Sequence, residues 1–241
     1  TPFSNSASVT FANVVVKADN ATGTAEGTSW VGGSGPTQAE IGLFNTTLSE
    51  MFGTGAPLSW LGLKVGSGTN LIYIRNTSTD NYVGINAGGV DMLEATRDLE
   101  IASFQQQADH TWWVPSGRTF TVGLRLTQLT NRALSLYGGG TITLPGPGVS
   151  PAESTNPIVL GDLSSFTGTL NANNHSFDLS VPAYETMRFA GTINSAGNLS
   201  TITIEEGGVL DFNSSADFNF DWDWNSFTSL NGPNGDGGTY T

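Results

Sequence analysis

The sequence predicts an all-β chain whose strands stack in parallel as a β-solenoid, on three observations. The first is composition. Gly, Thr, Ser and Asn supply 105 of the 241 residues, only 12% are charged and 37% are hydrophobic. A helix-rich domain builds its solvent faces from Lys, Glu and Arg, whereas Thr, Val, Ile and aromatics suit pleated strands and Gly, Asn and Ser suit turns. The 13 Phe, 6 Trp and 5 Tyr demand burial, which excludes a disordered chain. The second is a run of short strand-like units ended by Gly or Asn, with almost no Asn-Gly or Asp-Gly hairpin signal between Leu58 and Leu144. The third is self-similarity. GTITL at 140–144, GTLNA at 168–172 and GTINS at 191–195 recur at offsets of 28 and 23 residues, each a plausible solenoid turn. A two-sheet β-sandwich or jelly roll is the competing architecture.

The chain reads as a single elongated β domain over 1–241, in three parts: an N-terminal strand and cap (1–57), the solenoid (58–212) and a C-terminal aromatic and acidic tail (213–241). SVTFANVVVK (8–17) is a β-branched run that reads as a buried strand, and 18–36 is a Gly, Thr, Asn and Ser loop around Trp30. Over 37–52, Ile41, Phe44, Leu48 and Met51 fall at helical spacing, and Thr37/Glu40 and Thr47/Glu50 have the form of capping boxes. That pattern predicts a short amphipathic helix covering one end of the β structure. LGLKVG (61–66), NLIYIRN (70–76), YVGINAGG (82–89), DLEIAS (98–103), TWWVPSG (111–117), RTFTVG (118–123) and TITL (141–144) are the strand units. PGPGVSP (145–151) cannot donate regular ladder bonds and reads as a loop leaving the rod. In DFNFDWDWN (217–225), Phe218, Phe220, Trp222 and Trp224 alternate with Asp and Asn, so an extended chain has one wholly aromatic face.

The succession LGLKVGSGTNLIYI, VGINAGGVDM, DLEIAS, TWWVPSGRTFTVG and GGGTITL resembles the bacterial autotransporter-associated β-strand repeat proteins over about residues 61–171. Trp113, Val114, Gly117, Arg118, Thr119 and Val122 form the most specific part of the match. The resemblance implies a right-handed parallel β-helix exposed outside a bacterial cell, and implies no catalytic residues. Independently of the family, Gly117 and Gly123 are expected to permit tight turns, and Val114 and Val122 to fill the interior.

Charge narrows the function. Against 21 Asp and Glu stand 8 Lys and Arg, a formal net charge of −13, which opposes phosphate backbones and anionic lipid. Nucleic acid is therefore not an expected partner, nor is membrane insertion, since no stretch approaches the ~20 apolar residues of a bilayer span. With no Cys there is no disulfide framework or thiol chemistry, and the Ser, Thr and Asn richness leans extracellular, after removal of any signal peptide.

No motif for nucleophilic, phosphate or metal chemistry stands in the chain, so neither cofactor nor metal is expected. Asp91, Glu94, Arg97 and Asp98 read as a solvated turn, and Asp109 with His110 flanks Trp112-Trp113. The two histidines, His110 and His175, lie 65 residues apart, too few for a His-rich metal site. Asp221-x-Asp223-x-Asn225 begins like a calcium loop, but Ser226 stands where that loop needs Gly and Gly232 where it needs Glu. The expectation is a bacterial surface protein that acts by self-assembly, as a filament or surface-layer subunit, or by adhesion. A polysaccharide-binding or polysaccharide-cleaving β-helix is the alternative. The expected partners are further copies of the chain, joined by strand addition or stacking, and surface glycans. Candidate interface residues are Phe218, Phe220, Trp222 and Trp224 at one end and Val9, Phe11, Val14 and Val16 at the other. Trp112 and Trp113 are the candidate glycan contacts, although period-two alternation puts them on opposite faces of a strand and one of them in the core.

Overall fold

A computed structural model of the chain describes residues 13–18, 25–45, 50–68, 71–76, 81–128, 132–145, 158–173, 175, 177–194, 199–211 and 239–240. In chain order the strands begin with β1 (Asn13–Val16), β2 (Glu40–Phe44), β3 (Glu50–Thr54), β4 (Leu58–Val65), β5 (Ile72–Asn76), β6 (Val83–Asp91) and β7 (Leu99–Gln106). Then follow β8 (His110–Trp113), β9 (Thr119–Gln128), β10 (Leu134–Gly138), β11 (Thr141–Thr143), β12 (Ile158–Leu160), β13 (Ser165–Phe166) and β14 (Thr169–Asn171). The last are β15 (Phe177–Val181), β16 (Thr186–Arg188), β17 (Thr192–Asn194), β18 (Leu199–Ile204), β19 (Val209–Asp211) and β20 (Thr239–Tyr240). Among the described residues every strand-to-strand ladder is parallel, and the strands wind into a β-helix of about seven turns.

Three strand ladders wrap one core. The first runs through β1, β2, the end of β4, the end of β6, β8, β10 and β13. The second runs through β3, β5, the start of β7, the start of β9, β11, β14 and β17. The third joins the start of β4, the start of β6, the end of β7 and the end of β9, and a separate stretch links β12, β15 and β18. The long strands β4 and β7 serve two ladders each because their register shifts between Trp60 and Gly62 and between Ile101 and Ser103. Such a bulge bends a strand around a corner without ending it.

Alternation sends one side chain in two to the interior, where like stacks on like. Leu63, Val90, Trp112 and Leu136 form one buried column, and Ile72, Leu99, Phe120, Ile142, Leu170 and Ile193 another. Phe104, Trp112 and Phe120, one from each ladder, meet edge to face across the lumen at 5.2, 4.8 and 6.1 Å. A second knot of Trp30, Phe44 and Trp60, with centroids 5.3–6.3 Å apart, fills the first turns. Val114 and Val122 are buried, and Gly117 stands in a turn at φ 75°. Gly123, in contrast, lies inside β9 and makes no turn.

The Gly-Thr repeat has a direct cause. Thr141 stands opposite Thr169 and Thr169 opposite Thr192, so the sequence offsets are the turns themselves. Thr169 N–H donates to the Gly140 carbonyl at 3.0 Å and Thr192 N–H to that of Gly168 at 2.8 Å. A Cβ at Gly168 would collide with the Gly140 carbonyl, and one at Gly191 would crowd that of Gly168.

The helix predicted over 37–52 is not formed. Glu40–Phe44 and Glu50–Thr54 are strands. The Thr37/Glu40 pair does make capping-type hydrogen bonds, Thr37 N–H and hydroxyl donating to the Glu40 carboxylate at 3.0 and 2.9 Å, but across a turn that Glu40 N–H closes on the Thr37 carbonyl. Those bonds satisfy a turn as well as a helix start, and the parallel partners β1 and β4 on either side of β2 then outweigh the helical spacing. The expected loop instead supplies the cover at the first turn. Ser29–Val31 crosses β1 in the opposite sense, with Ala18 N–H donating to Ser29 O and Val31 N–H to Val16 O, while Trp30 plunges inward. The ammonium of the buried Lys17 donates to Ser29 O at 2.7 Å and lies 5.7 Å from the Trp30 ring centroid.

Candidate functional site

Trp112 and Trp113 part company. Trp112 is fully buried against Phe104 and Phe120, so as a glycan contact it is corrected to a core residue. Trp113 faces outward, in a column that reads Val16, Leu43, Lys64, Asp91, Trp113, Tyr137 and Ser165 from turn to turn. Tyr137, which sequence reasoning missed, is 43% exposed. Among the described residues neither ring is in contact with another aromatic ring. The column beside it is floored by Gly62, Gly89, Thr111 and Ser135, all short side chains that leave the face shallow. Period two from Trp113 and one turn's offset would have found Tyr137, had the turn length been known.

Next to Ser165 in the chain, Ser164 and Asp162 line a groove of about 280 Å³. Asp162, Ser164, Ser180, Glu185 and Thr186 supply its polar lining, and Met187 its buried apolar wall. Asp162 is held in place: its N–H donates to Ser135 Oγ at 2.9 Å, and its carboxylate accepts from Ser164 N–H at 2.8 Å. Between the groove residues Pro182 and Glu185, Tyr184 is 77% exposed and has φ 60°, a backbone state that bulky residues seldom adopt. Its ring lies over Gly207, where any Cβ would strike it at 2.6 Å.

The charged candidates clamp turns. Lys64 Nζ lies 3.5 Å from Asp91 and 3.2 Å from Glu94. Partial burial opposes its charge, but hydrogen bonds and charge from the two carboxylates outweigh it and raise the ammonium above its usual pKa. Asp98 accepts from Thr119 N–H at 2.8 Å. Arg97, expected in a solvated turn, is instead buried, its guanidinium lying where Gly68 has no side chain and donating to Ser67 O. Asp109 accepts from Ala133 N–H at 2.9 Å. His110 points inward, its Nδ1 2.9 Å from Asn86 O, and burial pushes its pKa down to about 4 despite that hydrogen bond. Among the described residues no three His, Cys, Asp or Glu side chains converge to hold a metal ion.

Of the candidate interface residues, Val14 is 49% exposed and Val16 partly buried, both on the outward side of β1 next to Ile41 and Leu43. Val9, Phe11, Phe218, Phe220, Trp222 and Trp224 lie outside the described residues, as do Asp221, Asp223 and Asn225. Compared with family models, curated proteins and solved structures, the chain matches none.

Proposed function

We propose that the chain is an extracellular structural protein of a bacterial surface, acting through self-assembly or adhesion and not through catalysis. The observation that carries this reading is the first turn. β1 pairs with β2 on one side, and among the described residues it has no second parallel partner. The Ser29–Val31 crossing covers only its end at Val16–Ala18. An edge strand with apolar outward residues, Val14 foremost, is the kind of strand to which another chain adds. A contact between unlike ends of a rod repeats without closing, and so gives a polymer. The low charge and the Ser, Thr and Asn richness support an extracellular setting, and the resemblance to autotransporter repeats supports a scaffold.

The test is sedimentation velocity over a hundredfold concentration range, with electron microscopy of the heaviest species. The parent chain should associate with rising concentration. A Val14→Lys/Val16→Lys variant should stay monomeric, and Trp222→Ser/Trp224→Ser reports the share of the C-terminal aromatics. A parent that is monomeric throughout refutes self-assembly.

A further inference from the structure

We infer that the strip from Trp113 over Tyr137 into the groove at Asp162 and Glu185 binds a neutral, extended polysaccharide chain lying along the rod. Where the reading above is adhesive, this names what is adhered to; it does not require self-assembly. The first argument is spacing. Trp113, Tyr137 and Ser165 occupy the same outward position in successive turns, ~4.8 Å apart, about the length of one pyranose ring. The three positions span two turn-to-turn steps, roughly 10 Å, and the groove lined by Asp162, Ser164 and Glu185–Met187 begins at the residue before Ser165. A straight row of equal steps fits an extended polymer and not a coiled one.

The second argument is chemistry. A pyranose carries C–H groups on its flat faces and hydroxyls around its rim. Trp and Tyr offer flat apolar rings with a polar edge, and those of Trp113 and Tyr137 have faces that no other ring among the described residues takes up. The groove adds Ser164, Ser180 and Thr186 hydroxyls and the Asp162 and Glu185 carboxylates around the apolar Met187, the mixture a sugar rim and face require. Asp162 is already fixed by Ser135 and Ser164, so ordering it on binding costs little. Tyr184, in the chain between the lining residues Pro182 and Glu185, keeps a left-handed backbone and an exposed side chain, a strained state of the sort that gathers at ligand sites.

The third argument is charge, which selects among glycans. A net charge of −13 and two carboxylates in the groove repel uronate or sulfated polymers. Arg188, the nearest cation in sequence, is already paired with Asp211 at 2.8 Å.

Isothermal titration of the full-length protein with cellohexaose, maltohexaose and polygalacturonate tests this. Cellohexaose should bind, more tightly than maltohexaose, and polygalacturonate should not. Trp113→Ala and Tyr137→Ala should each weaken cellohexaose about tenfold. Leu124→Ala, elsewhere on the surface, should leave it unchanged, and Tyr137→Phe, which keeps the ring and loses its hydroxyl, should weaken it less than Tyr137→Ala. Failure of cellohexaose to bind, equal binding to a folded Tyr137→Ala variant, or a preference for maltohexaose or polygalacturonate would overturn the inference. Because titration is run at concentrations where sedimentation finds monomer, its result is independent of polymerisation.

Discussion

His110 shows what one inward side chain costs this core. Its Nδ1 carries the proton and donates to Asn86 O, while Nε2, buried beside Phe104 and Trp112, has no hydrogen-bond partner among the described residues. The fold therefore favours neutral imidazole, with a pKa near 4 against about 6.5 in an unfolded chain. Above pH 6.5 both states are neutral and stability is whole. As pH falls from 6.5 towards 4 the unfolded chain takes up a proton that the folded one refuses, and stability drops by up to about 3 kcal/mol. Urea unfolding at pH 7.5, 6 and 5 should show that decline, and His110→Asn, which keeps a donor for Asn86 O, should flatten it. At this scale alternation was legible and its phase was not: it said that either Trp112 or Trp113 faces inward, but strand pairing decides which. Arg97 was not legible at all, since its berth is a missing side chain at Gly68, far away in sequence.

Among the elements, β12 is the least conventionally held on its upstream side. Gln128 at the end of β9 reaches it with a side-chain amide: its Oε1 accepts from Val159 N–H at 2.8 Å, and its Nε2 donates to Val159 O at 3.3 Å and to Gln106 Oε1 at 2.7 Å. The amide thus imitates a peptide group of a neighbouring strand. Gln128→Ala leaves Val159 N–H and the buried Gln106 without these partners and should cost about 2 kcal/mol. Loss of hydrogen-exchange protection at Val159, with the Thr119–Thr121 end of β9 unaffected, would locate the damage, and undiminished protection would contradict it. Strand units were legible here because Gly and Asn end them. The β2 region was misread because a turn and a helix start use the same Thr37–Glu40 hydrogen bonds, and only the neighbours in space distinguish them.

For the molecule as a whole, each turn touches mainly the turns beside it, so stability is a chain of local terms and not one transition. Trp30→Ala should open the first turns, with hydrogen exchange rising across 25–44 while Thr141 and Thr169 stay protected. Trp112→Ala, in the middle of the stack, should cost about 3–5 kcal/mol and split the denaturation curve into two steps. A single coincident transition in both variants would count against that picture. The solenoid was legible from the Gly-Thr repeat, since Gly140, Gly168 and Gly191 stack directly. The rest of the period was blurred because turns vary in length, from the 19 residues between Ile158 and Phe177 to the 30 between Val209 and Thr239, and the surplus leaves the ladder as loops. That stacked repeat also bears on heredity. Recombination between the Gly-Thr codons at 140–141 and those at 168–169 adds or deletes 28 residues, one complete coil, and leaves every register on either side intact. A gene built this way can change the length of its product in steps of one whole turn.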